Sequence, residues 1–141
     1  MLMKKKRIYV NTKRTRYITV KLYNNKKEMR EAYKVFRPKD WGHNNVLGVH
    51  CGYVKYETTG KKTVMSNETG TVFLSLKNCG AGVVTHELMH AVLWAWKHNE
   101  KKEQYPIVIK SMRYEEEILH NHTYAVTQFY NWYFKIKRRL T

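Results

Sequence analysis

His86, Glu87 and His90 stand in the order H-E-x-x-H inside the apolar run from Val83 to Trp96. On a helix, side chains four residues apart lie one above the other on the same face. His86 and His90 can then offer two imidazole nitrogens to one metal ion. Glu87 lies about 100° further round the axis, close enough to reach a water on that ion without being a ligand itself. Two imidazoles, a carboxylate that serves as general base, and a third protein ligand from elsewhere make the donor set of a hydrolytic zinc site.

The five-residue pattern alone also describes a helix with two half-buried histidines and a glutamate, so the flanks matter. Val84, Leu88, Ala91 and Ala95 form one apolar stripe roughly opposite the histidines, and Val83, Leu93 and Trp94 flank the histidine side. A helix apolar nearly all round is expected to be buried. Two unpaired histidines and a carboxylate inside it would be costly unless something binds them, and a metal ion is the simplest occupant.

Zinc takes three protein ligands and keeps one position for water. No third histidine follows at the H-x-x-G-x-x-H spacing. The next acids are Glu115, Glu116 and Glu117, at the start of the last helical stretch. If Ile118 and Ala125 face the core, Glu115 shares their face one turn earlier, while Glu116 and Glu117 point sideways or outward. Glu115 leads as third ligand and Glu116 is second. The other acids read as first-turn residues favoured by the helix dipole. His122, on the core stripe, is either an oxyanion donor or a core histidine bonded to a neighbour; His120, Tyr114 and Tyr124 lie near the same face. His43 and His50 have no partner spacing and read as structural. Cys51 and Cys79 are too far apart for a C-x-x-C knuckle and read as free thiols in a reducing compartment.

Several elements must position these groups. Arg7 to Asn11 is β-prone. Arg16 to Tyr23 alternates, with Ile18, Val20 and Leu22 on one face, as a strand with one buried side does. Lys26 to Phe36 has helical spacing through Met29, Ala32, Tyr33 and Phe36, and Pro38 with Asp40-Trp41-Gly42 ends it. Val49 to Glu57 reads as a second strand, and Val64-Met65 pairs briefly within a polar stretch. Thr71 to Leu76 is a third strand, with Val72, Leu74 and Leu76 against Thr71, Phe73 and Ser75. It is the candidate edge strand that would hold an extended substrate. The histidine helix runs from about Ala81 to His98, with Asn99 at the C′ position. Pro106 suits the start of a helical segment. The last helix covers roughly Ser111 to Arg138, with Ile118, His122, Ala125, Phe129, Trp132 and Ile136 on its core stripe. The expected class is α+β: a mixed or antiparallel sheet packed on the histidine helix and a long C-terminal helix.

The 141 residues fit one domain with a real core, a basic strand–helix region over 1–40 and a metal-site half over 71–141. No run of eighteen apolar residues occurs, so no membrane span is expected. Met1 to Arg7 carries the charge of a signal-peptide start, but Ile8 to Arg16 is mixed and basic, so a cytoplasmic protein is expected. The formal net charge is +16. Residues 1–40 hold fourteen Lys and Arg against Glu28, Glu31 and Asp40, and Lys135, Lys137, Arg138 and Arg139 add to this at the other end. That balance favours an acidic partner such as nucleic acid, or else a solvated basic surface.

The segment Gly80-Ala81-Gly82-Val83-Val84-Thr85-His86-Glu87-Leu88-Met89-His90-Ala91, with Glu115-Glu116-Glu117-Ile118-Leu119 and Gln128-Phe129 after it, resembles small single-domain metallopeptidase-type proteins of phage and prophage genomes. The likeness covers roughly the second half of the chain. More distantly it is similar to the gluzincin group of zincins, whose third ligand is a Glu on a following helix. The resemblance implies a small zincin-like domain, Zn2+ on His86, His90 and one of Glu115 or Glu116, Glu87 as base, and a peptide or protein substrate. The gluzincin pattern often has an Asp four residues after the ligand Glu; here Leu119 and His120 stand at those positions, which leaves the ligand choice open. The rival expectation is a non-catalytic protein with structural zinc, associated with nucleic acid through its basic surface.

Overall fold

The computed structural model describes residues 2–40, 42–98 and 112–140, with side chains of the last stretch described from Glu115 onward. In chain order the elements are β1 (Leu2–Tyr9), β2 (Tyr17–Tyr23), α1 (Lys26–Phe36), β3 (Gly48–Gly52), β4 (Tyr56–Thr59), β5 (Lys62–Met65), β6 (Glu68–Ser75), a single 3-10 turn (Leu76–Asn78), α2 (Ala81–Lys97) and α3 (Met112–Leu140). The class is α+β, as the alternation of strand and helix spacing predicts. Trp41, Asn99, Pro106, Ser111 and the side chain of Tyr114 lie outside the described residues.

Four strands form one mixed sheet in the order β1-β2-β6-β3. β2 runs parallel to β6, and the β1–β2 and β3–β6 pairs are antiparallel. β4 and β5 form a separate hairpin. The expected strand from Val49 to Glu57 is therefore two strands in different sheets.

Period-2 alternation decides which helix covers which face. Ile8, Ile18, Val20, Leu22, Val72 and Leu74 are fully buried in one cluster with Val84, Leu88 and Ala91 of α2 and Ala125 and Phe129 of α3. Tyr23 and Phe73, on the opposite face, pack with Met29 and Tyr33 of α1 and with Cys51. α1 starts where Asn25 caps it, its side-chain oxygen accepting from Glu28 N at 2.9 Å.

The strand read as Thr71 to Leu76 is corrected here. It begins at Glu68, ends at Ser75, and is flanked by β2 and β3, so it is central and not an edge. Thr71, Phe73 and Ser75 on one face are buried together with Val72 and Leu74 on the other. A strand covered by helices on both faces loses the in–out contrast that alternation implies.

α3 runs antiparallel to α2. Tyr133 Oη donates to the Leu76 carbonyl at 3.1 Å, Tyr130 Oη to the Cys79 carbonyl at 3.3 Å, and His122 Nε2 meets the Thr85 carbonyl at 2.9 Å. α3 also closes the end of the sheet. Gln128 accepts from Tyr9 N through Oε1 and donates to Tyr9 O through Nε2, both at 2.9 Å, and so takes up backbone groups of edge strand β1. Buried Asn121 accepts from Thr12 N at 3.1 Å in the β1–β2 loop. Among the described residues no helix is long and apolar enough to cross a membrane.

Candidate metal centre

α2 carries Val84, Leu88, Ala91 and Ala95 inward, the stripe expected from the sequence, and Val92 is buried with them. One turn apart on the outer side, His86 Nε2 and His90 Nε2 stand 3.1 Å from each other. Their ring centroids are 4.6 Å apart and the planes are nearly perpendicular, at 82°. Two nitrogens bound to one zinc at about 2.0–2.1 Å in tetrahedral geometry would stand about 3.3 Å apart. The donor types and the spacing of this pair therefore fit a shared ion.

Both histidines are exposed, and Glu87 is half-buried. The expectation of a histidine face enclosed by protein is thus corrected: α2 buries one side, and the histidine side opens to solvent. The case for a metal rests on the approach of the two nitrogens and not on a cost of burial. His90 opens to solvent but is partly desolvated by the protein around it, which lowers its pKa, and the neighbouring His86 lowers it further. Burial raises the Glu87 pKa, while His86 and the backbone of His50 act in the opposite direction. A carboxylate moved toward neutral pH is a better base for water than one at its ordinary value.

β3 lies directly against this helix. A Cβ on Gly48 would come within 2.9 Å of Val83 Cγ1 and of Leu74 Cδ2, and within 3.4 Å of Glu87 Cγ. A Cβ on Gly52 would meet the Trp94 ring at 2.6 Å. Two glycines two residues either side of His50 let the strand approach α2. His50, read from the sequence as structural, shares their face. Its Nε2 is buried with no hydrogen-bond partner. Burial pushes the ring down to about 4, and His90 and Arg37 add to the effect. The alternation Gly48-x-His50-x-Gly52 was the signal in the sequence for a strand pressed onto another element.

The acids of α3 are placed differently. Glu115, Glu116 and Glu117 are all exposed. Glu116 pairs with His120 at 3.5 Å, and together with Glu117 they line a shallow cleft with Thr12 and Tyr124 on the side facing the β1–β2 loop. Glu115 lies seven residues before His122, hence on the same side of α3 and about 10 Å further along it. His122 donates its Nε2 proton to the carbonyl of Thr85, next to His86, so it ties the two helices. Among the described residues, no group of three or more His, Cys, Asp or Glu side chains is placed to hold a metal ion. The two imidazoles, Glu87 and the His50 strand come together; the acidic cluster does not join them there. Cys51 and Cys79 are free and buried, and burial pushes their thiols up to about 11 and about 12.

Compared with known proteins, the chain matches no family model, no curated protein and no solved structure.

Proposed function

We propose that this chain is a zinc-dependent peptidase in which His86 and His90 hold the ion and Glu87 is the general base, with Glu115, which does not stand beside the pair in this structure, as the third ligand. The observation that carries the reading is the 3.1 Å approach of two imidazole nitrogens, with a half-buried carboxylate on the intervening turn. Glu115 is favoured over Glu116 because it shares the side of α3 that His122 presents to Thr85, whereas Glu116 pairs with His120 on the side of the loop cleft.

Bound zinc would supply a Lewis acid that acidifies a water and polarises a carbonyl. The Glu87 carboxylate takes a proton from the attacking water and returns it to the departing amine nitrogen. Its raised pKa suits both halves of that transfer. β3, an edge strand beside α2, replaces the strand at 71–76 as the candidate guide: Glu87 meets the His50 N–H there and Arg37 donates to the Gly52 carbonyl at 2.6 Å, so an extended substrate would pair with the remaining backbone groups of that edge.

The test is zinc content together with hydrolysis of an unfolded protein substrate. Wild type is expected to carry about one zinc per chain and to cleave. His86→Ala is expected to lose the metal. Glu87→Gln is expected to keep it while hydrolysis falls by about two to four orders of magnitude. Undiminished cleavage by Glu87→Gln would remove Glu87 as base, and a metal-free wild type after growth with zinc would remove the reading altogether.

A further inference from the structure

The first 23 residues hold eight Lys and Arg and no Asp or Glu. They form the β1–β2 hairpin, whose register sets Tyr9 opposite Tyr17, Arg7 opposite Thr19 and Lys5 opposite Lys21. These pairs point away from Ile8 and Ile18, onto the sheet face that α1 covers over β6 and the Tyr23 end of β2 and leaves open toward β1. The Arg7 guanidinium lies 4.0 Å over the Tyr17 ring, and that of Arg14 lies 4.4 Å over the Tyr9 ring. The two rings meet edge to face at 6.2 Å. Arg14 sits at φ 57° in a loop held by Asn11, whose Oδ1 accepts from Thr15 N at 3.0 Å and from Arg16 N at 3.1 Å. The cations are therefore displayed on an ordered surface. Glu68 borders this face, and its carboxylate is engaged by Tyr53 Oη at 2.6 Å, Thr19 Oγ1 at 3.0 Å and Lys55 Nζ at 3.3 Å.

We propose that this open hairpin face, made by Lys5, Arg7, Tyr9, Arg14, Tyr17 and Lys21, binds a single-stranded nucleic acid. The cations meet the phosphates, and the partner is a polyanion because the face carries positive charge with no acid of its own strands to balance it. Bases stack on the Arg–Tyr platforms, since guanidinium planes and tyrosine rings both present flat π surfaces to unpaired bases. Rings lying on a sheet are reached by bases free of a duplex and not by those stacked within one, which favours a single strand. From Lys5 to Tyr9 the face is about 14 Å long, room for about four nucleotides at a stacked spacing of ~3.4 Å. It lies at the β1 end of the sheet, whereas the histidine pair lies on α2 beside β3 at the other end, so this proposal does not rest on the peptidase reading.

The test is fluorescence anisotropy of a labelled oligothymidylate 12-mer with the full chain at 50 and 200 mM NaCl. Wild type is expected to bind, and to bind a duplex of the same length more weakly. Arg7→Gln with Arg14→Gln is expected to weaken binding more than tenfold and to reduce the log–log salt slope by about 1.4, two charges at roughly 0.7 each. Lys4→Gln with Lys6→Gln removes the same charge from the same hairpin but from the opposite side of β1, and is expected to weaken binding less than threefold. Zinc content and circular dichroism are expected to be unchanged throughout. If the arginine variant does not fold, Lys5→Gln with Lys21→Gln replaces it, with the same expected direction. No binding at 50 mM NaCl, equal losses in the two double variants, or a duplex bound as tightly as the single strand would each overturn the proposal.

Discussion

His50 shows how one side chain links the candidate site to stability. It lies on the strand face against α2, its Nε2 is buried without a partner, and burial pushes its pKa from 6.5 down to about 4. The folded protein thus holds it neutral where the unfolded chain begins to take a proton. Below pH 6.5 the unfolded state binds more protons, so stability falls as pH falls. The contribution is intact above about 6.5 and is lost progressively down to about 4. A shift of that size corresponds to at most about 3–4 kcal/mol. We expect metal-free wild type to lose stability relative to His50→Leu across that window, by urea melts at fixed temperature, while the two differ little in slope from pH 7 to 8. Parallel curves from pH 7 to 4 would show that the ring is solvated and titrates normally.

At the scale of elements, α3 acts as a brace across both α2 and the sheet edge. Gln128 bonds both backbone groups of Tyr9, so Gln128→Ala leaves an N–H and a C=O of β1 without that partner. The expected cost is about 1–3 kcal/mol, read from the urea midpoint, with faster hydrogen exchange at the Tyr9 amide; an unchanged amide would mean that the edge is held from elsewhere. Elements with one buried face were legible in the sequence: α1 has the expected bounds, and β2 and the inner stripe of α2 match their spacing. β6 was misplaced because helices bury both its faces, so Phe73 and Ser75 carried no outward signal. The expected strand at 49–57 divides because the chain leaves the main sheet after Tyr53, whose N–H still donates to the Thr69 carbonyl at 3.0 Å, and before the β4–β5 hairpin begins. At the site, His86, Glu87 and His90 were readable because a helix repeats locally every four residues. His50 was not, because its neighbours are about forty positions away and only the fold brings them near. Helical spacing favoured Glu115 over Glu116 on the strength of Ile118 and Ala125, but spacing within α3 says nothing of how far either acid stands from a histidine pair about 25 positions away.

For the whole molecule, the sheet order separates two chemistries. The histidine pair and Glu87 belong to the β3 end, and the acid-free cationic hairpin forms the β1 end. A chain with a formal net charge of +16 repels itself, and compaction brings those charges closer than they are in the unfolded state. Lys4, Lys5, Lys6 and Arg7 follow one another along a single exposed edge strand, within one Debye length of about 10 Å at 0.1 M salt. Screening must therefore favour the folded form. Raising NaCl from 50 to 500 mM is expected to increase stability by on the order of 1 kcal/mol, or about 3 °C in Tm for a chain of this length. The measurement belongs in urea or by heating, because guanidinium is itself a salt and would mask the effect. Lys4→Gln with Lys6→Gln is expected to raise stability at 50 mM NaCl and to shrink the salt response. A wild-type stability that fell with added salt would mean that attractive ion pairs outweigh the repulsion, and that the cationic hairpin is balanced within the molecule instead of standing ready for an anionic partner.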